Sequence, residues 1–342
     1  MSTLFDNEGL HVRPAPACPL CAQNGPVVYN NLRDRLFDAP GVWNLRRCPA
    51  CEILWLDPRP VSADVGKLYL HYLTHNPPPE PSRFGRNLRL GILAGALGYA
   101  VRGSGLGRML AWIPPVRDRI AGTMMWLRDH WRGRLLDVGC GNGEFLIRAR
   151  ALGWDVGGIE PDPAAARMAR DISGIPVLAP TLEEAALPPD SFDAITLSHV
   201  VEHLLDPVAT LRECRRVLKP GGRLILTTPN IESLGHNTWK ENWVGLDPPR
   251  HILLFSPGGL RRCVEQAGLQ VVELRTVARF ASWMWVASRG IRRHGHFPLE
   301  RLRNRGPWRW LESLSAMTAE SLAVLFSNAG EEILLIARPP AR

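Results

Sequence analysis

The amino-acid sequence predicts an α/β protein with a mostly parallel sheet, preceded by a small zinc-binding module. Three observations indicate this. Strand-like and helix-like segments alternate between residues 134 and 337, and such alternation is typical of a parallel sheet. A glycine-rich turn joins the first of these strands to a helix, and two C-x-x-C pairs lie near the N-terminus.

The overall composition is that of a globular protein. The chain has 342 residues, of which 45% are hydrophobic and 22% are charged, so it can bury a sizeable core. Its first residues show neither the basic nor the apolar region of a signal peptide. The longest weakly polar run, Leu90–Val101, has 12 residues and is too short to span a bilayer. We therefore expect a cytoplasmic protein.

Residues 1–62 form the predicted zinc module. Cys18-Pro-Leu-Cys21 and Cys48-Pro-Ala-Cys51 are separated by 26 residues. Four thiolates at this spacing suit tetrahedral Zn²⁺, and a closed four-cysteine shell is structural because it leaves no position for a substrate. We predict a zinc ribbon with Cys18, Cys21, Cys48 and Cys51 as ligands. A disulfide pair is the alternative, which a cytoplasmic location disfavours.

The net charge of +8 is concentrated in two segments. Residues 86–134 carry nine arginines against two aspartates, and residues 278–342 carry ten arginines against five glutamates. Most of each segment lies in a predicted helical cap, at 63–132 or at 278–330. They are either solvated helical faces or surfaces for an anionic partner. In the second case we expect peripheral membrane contact through 86–134 and 278–310, or a phosphate-bearing substrate.

The glycine-rich turn follows a short apolar strand, Leu135–Val138, and precedes a helix that starts at Glu144. Glycines in such a turn let the backbone approach a ligand at the helix N-terminus. The dinucleotide pattern G-x-G-x-x-G would place its third glycine at position 144. Glu144 therefore disfavours a nucleotide-dependent oxidoreductase, and the spacing is instead D-x-G-x-G-x-G.

The acidic residues around this turn indicate a different cofactor. A carboxylate at the helix entrance suits a ligand with a sulfonium and an ammonium group. Glu160 ends the next strand, 21 residues after Gly139, and an acid there can accept both ribose hydroxyls.

Four segments resemble class I S-adenosylmethionine-dependent methyltransferases: LLDVGCGNGEF, GIEPDP, LPPDSFDAITLSHVVEH and LKPGGRLILTTPN. The resemblance implies a Rossmann-like seven-stranded sheet in the order 3-2-1-4-5-7-6, with the last strand antiparallel. It places a methyltransferase domain at 133–342, with insertions at about 229–255 and 278–330. We read the strands at 134–138, 154–159, 175–178, 193–198, 223–228, 270–275 and 332–337.

S-adenosylmethionine is therefore the expected cofactor. The resemblance places Thr181 and Leu182 beside the adenine and Ser198 near the methionine part. The predicted cofactor-binding residues are Asp137, Gly139, Cys140, Gly141, Gly143, Glu160, Pro161, Thr181, Leu182, Ser198 and His199.

The stretch HVVEH, residues 199–203, has the H-x-x-E-H spacing of an inverted zinc-peptidase motif. A strand precedes it, however, and Asp206-Pro207 soon interrupts any helix, so we exclude a peptidase. One histidine can instead act as a general base on a substrate hydroxyl. The candidate catalytic residues are His203, His199, His251 and Glu202.

Two alternatives to a base remain open for these residues. If 199–203 form one helical turn, His199, Glu202 and His203 share a face, and with His251 they can hold a second divalent metal. A histidine-rich set favours Zn²⁺, Fe²⁺ or Mn²⁺, and the resemblance to metal-dependent RNA and quinone methyltransferases is partial. The second alternative is that these side chains only pack the cofactor site.

The loop at 229–255 lies at the expected mouth of the site. Trp239, Trp243, Arg250 and His251 form either a recognition surface for a sugar or aromatic acceptor, or a packed lid.

We expect methyl transfer to a small hydroxylated acceptor, with O-methylation of a sugar or glycan precursor favoured. The N-terminal zinc module resembles that of methyltransferases of glycan and secondary-metabolite pathways. The acceptor would be carried on a nucleotide, a lipid phosphate or a glycan. The alternatives are an aromatic, quinone-type or RNA acceptor, or a zinc-anchored nucleic-acid-binding protein with a vestigial methyltransferase fold. The intact cofactor motif disfavours a nucleic-acid partner.

Overall fold

A computed structural model describes residues 4–69, 83–297 and 329–341, together with positions 315, 318, 319, 321, 322 and 324. Most of the predicted insertion after residue 297, including the end of the basic stretch 278–310, lies outside the described residues. So does the part of the predicted linker at 70–82.

Strands occur in the N-terminal quarter and again from residue 134 onward. They are β1 (Phe5–Asn7), β2 (Leu10–Arg13), β3 (Val27–Leu32), β4 (Trp43–Arg47), β5 (Leu54–Asp57), β6 (Arg59–Pro60), β7 (Arg134–Val138), β8 (Asp155–Ile159), β9 (Val177–Leu178), β10 (Phe192–Ser198), β11 (Leu218–Pro229), β12 (Leu253–Leu254), β13 (Gln270–Val277) and β14 (Glu332–Arg338).

Helices fill the segments between these strands. The described α-helices are α1 (Ser62–Val65), α2 (Arg83–Leu97), α3 (Gly105–Leu110), α4 (Pro114–Ala121), α5 (Glu144–Ala151), α6 (Pro163–Ser173), α7 (Pro207–Val217), α8 (Leu234–Trp239), α9 (Pro257–Gln266) and α10 (Ala281–His294). Within the described ranges, no helix combines the length and the apolar composition that crossing a bilayer requires.

The central sheet has seven strands in the order β9-β8-β7-β10-β11-β14-β13. Strand β14 is antiparallel to both of its neighbours, β11 and β13, while β7, β8, β9, β10 and β11 are parallel. Numbered along the domain, this is 3-2-1-4-5-7-6 with the last strand antiparallel. The predicted strand order is confirmed.

The sheet is covered on both faces, as a parallel sheet requires. Side chains alternate along each strand, so that Leu136 and Leu224 pack into one apolar cluster while Leu135 and Ile225 pack into another. The carboxyl ends of the parallel strands therefore form one polar edge, between two cores.

Three of the helices begin at an Asp-Pro or Ser-Pro pair. Asp162, Asp206 and Ser256 each precede a proline and accept a hydrogen bond from a backbone amide of the first helical turn. These side chains satisfy amides that the helix leaves unpaired.

The N-terminal module is joined to the rest of the chain through its sheet. Strands β3, β4 and β5 form an antiparallel sheet whose fourth strand is β12, from the loop at 229–255. Leu253 lies opposite Trp55 and Leu254 opposite Leu54. The module thus shares backbone hydrogen bonds and a continuous apolar cluster with the larger domain.

Candidate active site

The glycine turn after β7 has the conformation that its glycines permit. Gly139, Gly141 and Gly143 have φ values of 72°, 53° and 76°, which side chains with a Cβ rarely adopt. Helix α5 starts directly after the turn, and the amides of Gly139 and Cys140 donate to the Ile159 carbonyl, so the turn is fixed against the end of β8.

Glu160 braces this turn from the end of β8. Its Oε2 accepts a hydrogen bond from the Gly141 amide at 2.9 Å, and its Oε1 accepts one from the Asp162 amide at 3.1 Å. Burial raises the pKa of this carboxyl above its usual value. Each oxygen keeps a lone pair, so the carboxylate can still accept from two ribose hydroxyls. Pro161 follows it directly.

Asp137 lies inside the sheet, beneath the turn. It is 4% exposed and accepts a hydrogen bond of 2.6 Å from Thr196 Oγ1 on β10. Burial and the nearby charge of Glu160 raise its pKa to about 7. Asp137 therefore couples β7 to β10, and the two acids together give the site a negative potential that suits a cationic ligand. Cys140 is buried beside it.

The residues predicted to lie by the adenine follow β9. Strand β9 ends beside Glu160, whose amide donates to the Leu178 carbonyl at 2.9 Å. Leu182 is 2% exposed, and Thr181 caps a turn with Glu184. Ser198 is the last residue of β10, in register with Thr227.

The HVVEH segment leaves β10 with a sharp bend. His199 has φ of 55°, and only Val201–His203 form a short 3₁₀ turn. Residues 199–203 therefore do not form the single helical turn on which a shared face of His199, Glu202 and His203 depended. The bend seats Val200 on the glycine turn, because a Cβ at position 139 would come within 2.6 Å of Val200 Cγ2. This contact joins the cofactor turn to the histidine segment.

His199 is held between two buried carboxylates. Its Nδ1 lies 3.1 Å from Glu202 Oε1, and its Nε2 lies 2.8 Å from Glu332 Oε1. Burial alone would lower its pKa, but these two carboxylates outweigh burial and raise it to about 9. Arg279 Nη2 also donates to Glu332 Oε1, at 2.8 Å. His199 is thus a fixed cation whose two ring nitrogens both have partners.

Glu202, His203 and His251 converge instead. Each offers a donor atom, and these atoms lie within 4.8 Å of one another. His203 Nδ1 lies 2.9 Å from the Arg250 carbonyl and 3.0 Å from Tyr69 Oη, and His251 Nδ1 lies 2.7 Å from the Gly245 carbonyl. Because a carbonyl only accepts, each Nδ1 carries a proton, and the neutral form of either imidazole has its lone pair on Nε2.

The charges of this cluster follow from its burial. Burial and the neighbouring His251 lower the pKa of His203 to about 4. Burial alone would raise the pKa of Glu202, but His199 outweighs it and lowers the value to about 2. At neutral pH, His203 is therefore a neutral imidazole beside an ionised carboxylate.

The loop at 229–255 is packed more tightly than a recognition surface requires. Trp243 is 2% exposed and donates through Nε1 to Glu331 Oε2 at 2.9 Å. Arg250 is fully buried, between Asp34 of the N-terminal module and Asp247. Of the two alternatives for this loop, these contacts match the packed lid.

Sequence reasoning missed several partners of the site because no motif contains them. They contact the candidate residues from distant parts of the chain: Asp34, Tyr69, Thr228, Arg279 and Glu332. Of these residues, Glu332 alone stands out in the sequence. It follows another glutamate at the start of the last strand, which is an unusual place for two acids.

The four N-terminal cysteines lie together, as predicted. Their Sγ atoms are all within 4.8 Å of one another, and Cys21 Sγ is 3.4 Å from Cys48 Sγ. Four sulfur donors at this spacing fit tetrahedral Zn²⁺. Arg262 of α9 donates to Cys51 Sγ at 3.4 Å, so the cluster faces the larger domain.

Comparison with known proteins agrees with this geometry. A family model described as a methyltransferase domain matches residues 108–274. A ubiquinone biosynthesis O-methyltransferase of Cereibacter sphaeroides is 32% identical over 167 residues, which are 45% of this chain and 68% of that protein. The chain belongs to the class I S-adenosylmethionine-dependent methyltransferases. A second ubiquinone biosynthesis O-methyltransferase, from Xanthomonas campestris, is 40% identical to this methyltransferase over 103 residues, or 28% of this chain and 43% of that protein.

Two solved structures are similar to the methyltransferase at lower identity. A SAM-dependent methyltransferase from Archaeoglobus fulgidus has a TM-score of 0.43 and 21% identity, and covers 69% of this chain and 95% of its own. The [4+2]-cyclase SpnF has a TM-score of 0.45 and 20% identity, and covers 78% of this chain and 98% of its own.

Proposed function

We propose that this methyltransferase transfers the methyl group of S-adenosylmethionine to a hydroxyl group of a quinone-type aromatic acceptor. The names of the relatives from Cereibacter and Xanthomonas support this acceptor class. They favour it over the sugar or glycan precursor that the zinc module suggests from sequence. Both a quinone-type acceptor and a sugar acceptor are small hydroxylated molecules.

One observation carries this proposal: among the described residues Glu202 already accepts from His199 and Thr228, whereas no donor lies at Nε2 of His203 or of His251. In the described part of the chain, neither imidazole Nε2 has a hydrogen-bond partner. Acceptors that face one another in a buried site favour a ligand that donates a proton. A phenolic hydroxyl supplies that proton and presents its oxygen for methylation.

The roles of the residues follow from their places along the edge of the sheet. The glycine turn and Glu160 hold the cofactor, with Glu160 accepting from the ribose. His203 accepts the hydroxyl proton on Nε2 while the oxygen forms its bond to the methyl carbon and the carbon–sulfur bond breaks. Displacement at a sulfonium needs mainly positioning, with a base for a hydroxyl acceptor. His199 and Glu202 act as positioning residues.

A divalent metal is the second candidate for the same cluster. Two imidazole nitrogens and a carboxylate oxygen suit Zn²⁺, Fe²⁺ or Mn²⁺. Both Nδ1 atoms are held by main-chain carbonyls, an arrangement that orients metal-ligating histidines. A metal there would acidify a bound hydroxyl. His199 would not take part, because both of its ring nitrogens are bound to carboxylates.

The N-terminal module, residues 1–62, has a structural role in this proposal. A four-cysteine zinc site stabilises the β3–β5 sheet, which in turn pairs with β12. For the rest of the chain we propose the predicted division, with a basic helical cap at 63–132 and the methyltransferase domain at 133–342.

An acceptor panel tests the proposal. Labelled S-adenosylmethionine is supplied with catechols that carry short prenyl chains, with nucleotide sugars and with lipid-linked sugars. We expect labelled aromatic ether as the product. Transfer to the sugars alone would overturn the acceptor class and leave the methyltransferase assignment intact.

A further inference from the structure

Helices α2 and α3 pack against each other through glycines. A Cβ at Gly91 would come within 2.4 Å of the Ser104 carbonyl oxygen, one at Gly107 within 2.4 Å of the Leu88 carbonyl oxygen, and one at Gly103 within 2.2 Å of the Gly91 amide nitrogen. The two backbones are therefore in direct contact. Large side chains cannot lie between these helices and must point outward.

The outward side chains of α3 and the following turn are large and apolar. Leu106 is 53% exposed, Met109 70%, Trp112 86% and Ile113 46%. We call residues 106–113 the apolar tip. Tryptophan is highly buried on average in folded proteins, so a nearly fully exposed indole beside three exposed aliphatic side chains indicates a surface that is covered by a partner.

The charge around the apolar tip is of one sign. Residues 83–113 contain five arginines and no acidic residue. Arg86, Arg102 and Arg108 are exposed, and among the described residues none of them forms an ion pair. The segment therefore presents positive charge beside the apolar tip with no acidic residue of its own to balance it.

We propose that the apolar tip and its arginines dock the methyltransferase on a bilayer that contains anionic lipid. Apolar side chains, tryptophan and arginine on one short element match the composition of interfacial segments, in which apolar groups enter the headgroup region and cations meet lipid phosphates. A nucleic acid would use the arginines but leave the four apolar side chains in water, so the lipid surface is the better fit.

The docking surface is connected to the candidate active site. Helix α4 follows the tip and leads to Gly122, whose carbonyl accepts from Arg279 Nη1 at 2.7 Å. Arg279 in turn pairs with Glu332, the partner of His199. Docking goes beyond the proposed function and does not depend on it. If the acceptor is a quinone-type lipid, the same surface gives access to the membrane that holds it.

Vesicle flotation of the full-length protein tests the docking. Vesicles of phosphatidylcholine with 30% phosphatidylglycerol are compared with pure phosphatidylcholine, at low salt and at 0.5 M salt. We expect flotation with the anionic vesicles at low salt and much weaker flotation in the other three conditions. Arg108→Gln should weaken binding about fivefold, since each arginine near an anionic surface contributes about 1 kcal/mol. Arg212→Gln, an exposed arginine on α7, should not.

The double variant Met109→Ser/Trp112→Ser should lose at least about tenfold in binding to anionic vesicles, because both apolar groups no longer leave water on docking. Ile172→Ser, at a similarly exposed apolar residue on α6, is the matched control. Unchanged flotation of the double variant, or no flotation of the wild type, would overturn the proposal. So would a wild-type dimer that the double variant converts to a monomer without change in flotation. Methyl transfer to a water-soluble catechol should be unaffected, which separates this result from the proposed function.

Discussion

Asp34 and Arg250 are joined by two hydrogen bonds, of 2.6 and 2.8 Å, although 216 residues separate them. Both side chains are inaccessible to solvent. Asp34 belongs to the N-terminal module, and the main-chain carbonyl of Arg250 accepts from His203 Nδ1. The module therefore holds the residue that orients the candidate base, which gives it a part in the active site as well as in stability.

Replacing Asp34 with Asn tests this connection. The buried guanidinium loses one of its two carboxylates, and breaking a buried pair costs about 3 kcal/mol. We expect the free energy of unfolding, measured by denaturant titration, to fall by that amount. Transfer activity should fall further than the loss of folded protein explains, while the affinity for S-adenosylhomocysteine stays unchanged.

Glu265→Gln is the matched control for that variant. Glu265 pairs with Arg261 on the surface of α9 at 3.6 Å, and exposed pairs contribute little to stability. We expect neither stability nor transfer to change. If Asp34→Asn behaved in the same way, the module would have no role in orienting His203.

The fold was predictable because its signals are local. The apolar strand Leu135–Val138, the glycine turn and the Asp-Pro or Ser-Pro helix starts each lie within a few residues. The order of the strands was predicted from the resemblance to class I methyltransferases, which rests on these local motifs. The seven strands predicted between residues 134 and 337 are all present, and their ends differ from the predicted bounds by a few residues. Strand β11, for example, starts at Leu218 instead of residue 223.

The candidate site was less predictable because its contacts are not local. The spacing of His199, Glu202 and His203 would place them on one face only if they formed a helical turn. Glu332, which is 133 residues from His199, instead holds that imidazole at the bend after β10. The spacing of the motif does not indicate an acid so far along the chain. The grouping of Glu202 with His203 and His251 can therefore be seen only in the structure.

The predicted zinc site can be tested directly by measuring the zinc content of the protein. Purified protein should contain one tightly bound zinc per chain by elemental analysis, and Cys48→Ser should lose it, because three sulfur donors and water bind Zn²⁺ more weakly. The loss should also expose residues 1–62 to protease. Cys214→Ser removes an isolated buried thiol and should keep the zinc. Equal zinc content in both variants would contradict the four-cysteine site.

Cofactor binding depends on Glu160 in a way that calorimetry with S-adenosylhomocysteine can measure. Glu160→Gln keeps the shape of the side chain but replaces charged acceptors by a neutral amide. Hydrogen bonds to charged groups contribute about 1.5–3 kcal/mol, so we expect the dissociation constant to rise by about 10- to 100-fold. Asp155→Asn, at the opposite end of β8, should bind as the wild type does. Unchanged binding by Glu160→Gln would remove this residue from the cofactor site.

The role of His203 is resolved by measuring transfer and cofactor binding separately. If its Nε2 accepts the hydroxyl proton, His203→Ala should lower kcat by about 10²- to 10³-fold, the usual contribution of a general base. Its affinity for S-adenosylhomocysteine should stay within about twofold of wild type. His130→Ala, at an exposed histidine outside the site, should change neither value. Loss of cofactor binding together with transfer would indicate a packing role instead.

A chelator then distinguishes a base from a metal at the same cluster. A base acts without metal, so we expect transfer to survive chelation under conditions in which elemental analysis still finds the four-cysteine zinc. If transfer is lost and Mn²⁺ or Zn²⁺ restores it in the wild type but not in His251→Ala, the cluster holds a metal. That result would assign Glu202, His203 and His251 as ligands, and the acceptor hydroxyl would lose its proton to solvent or buffer because its bond to the cation lowers its pKa.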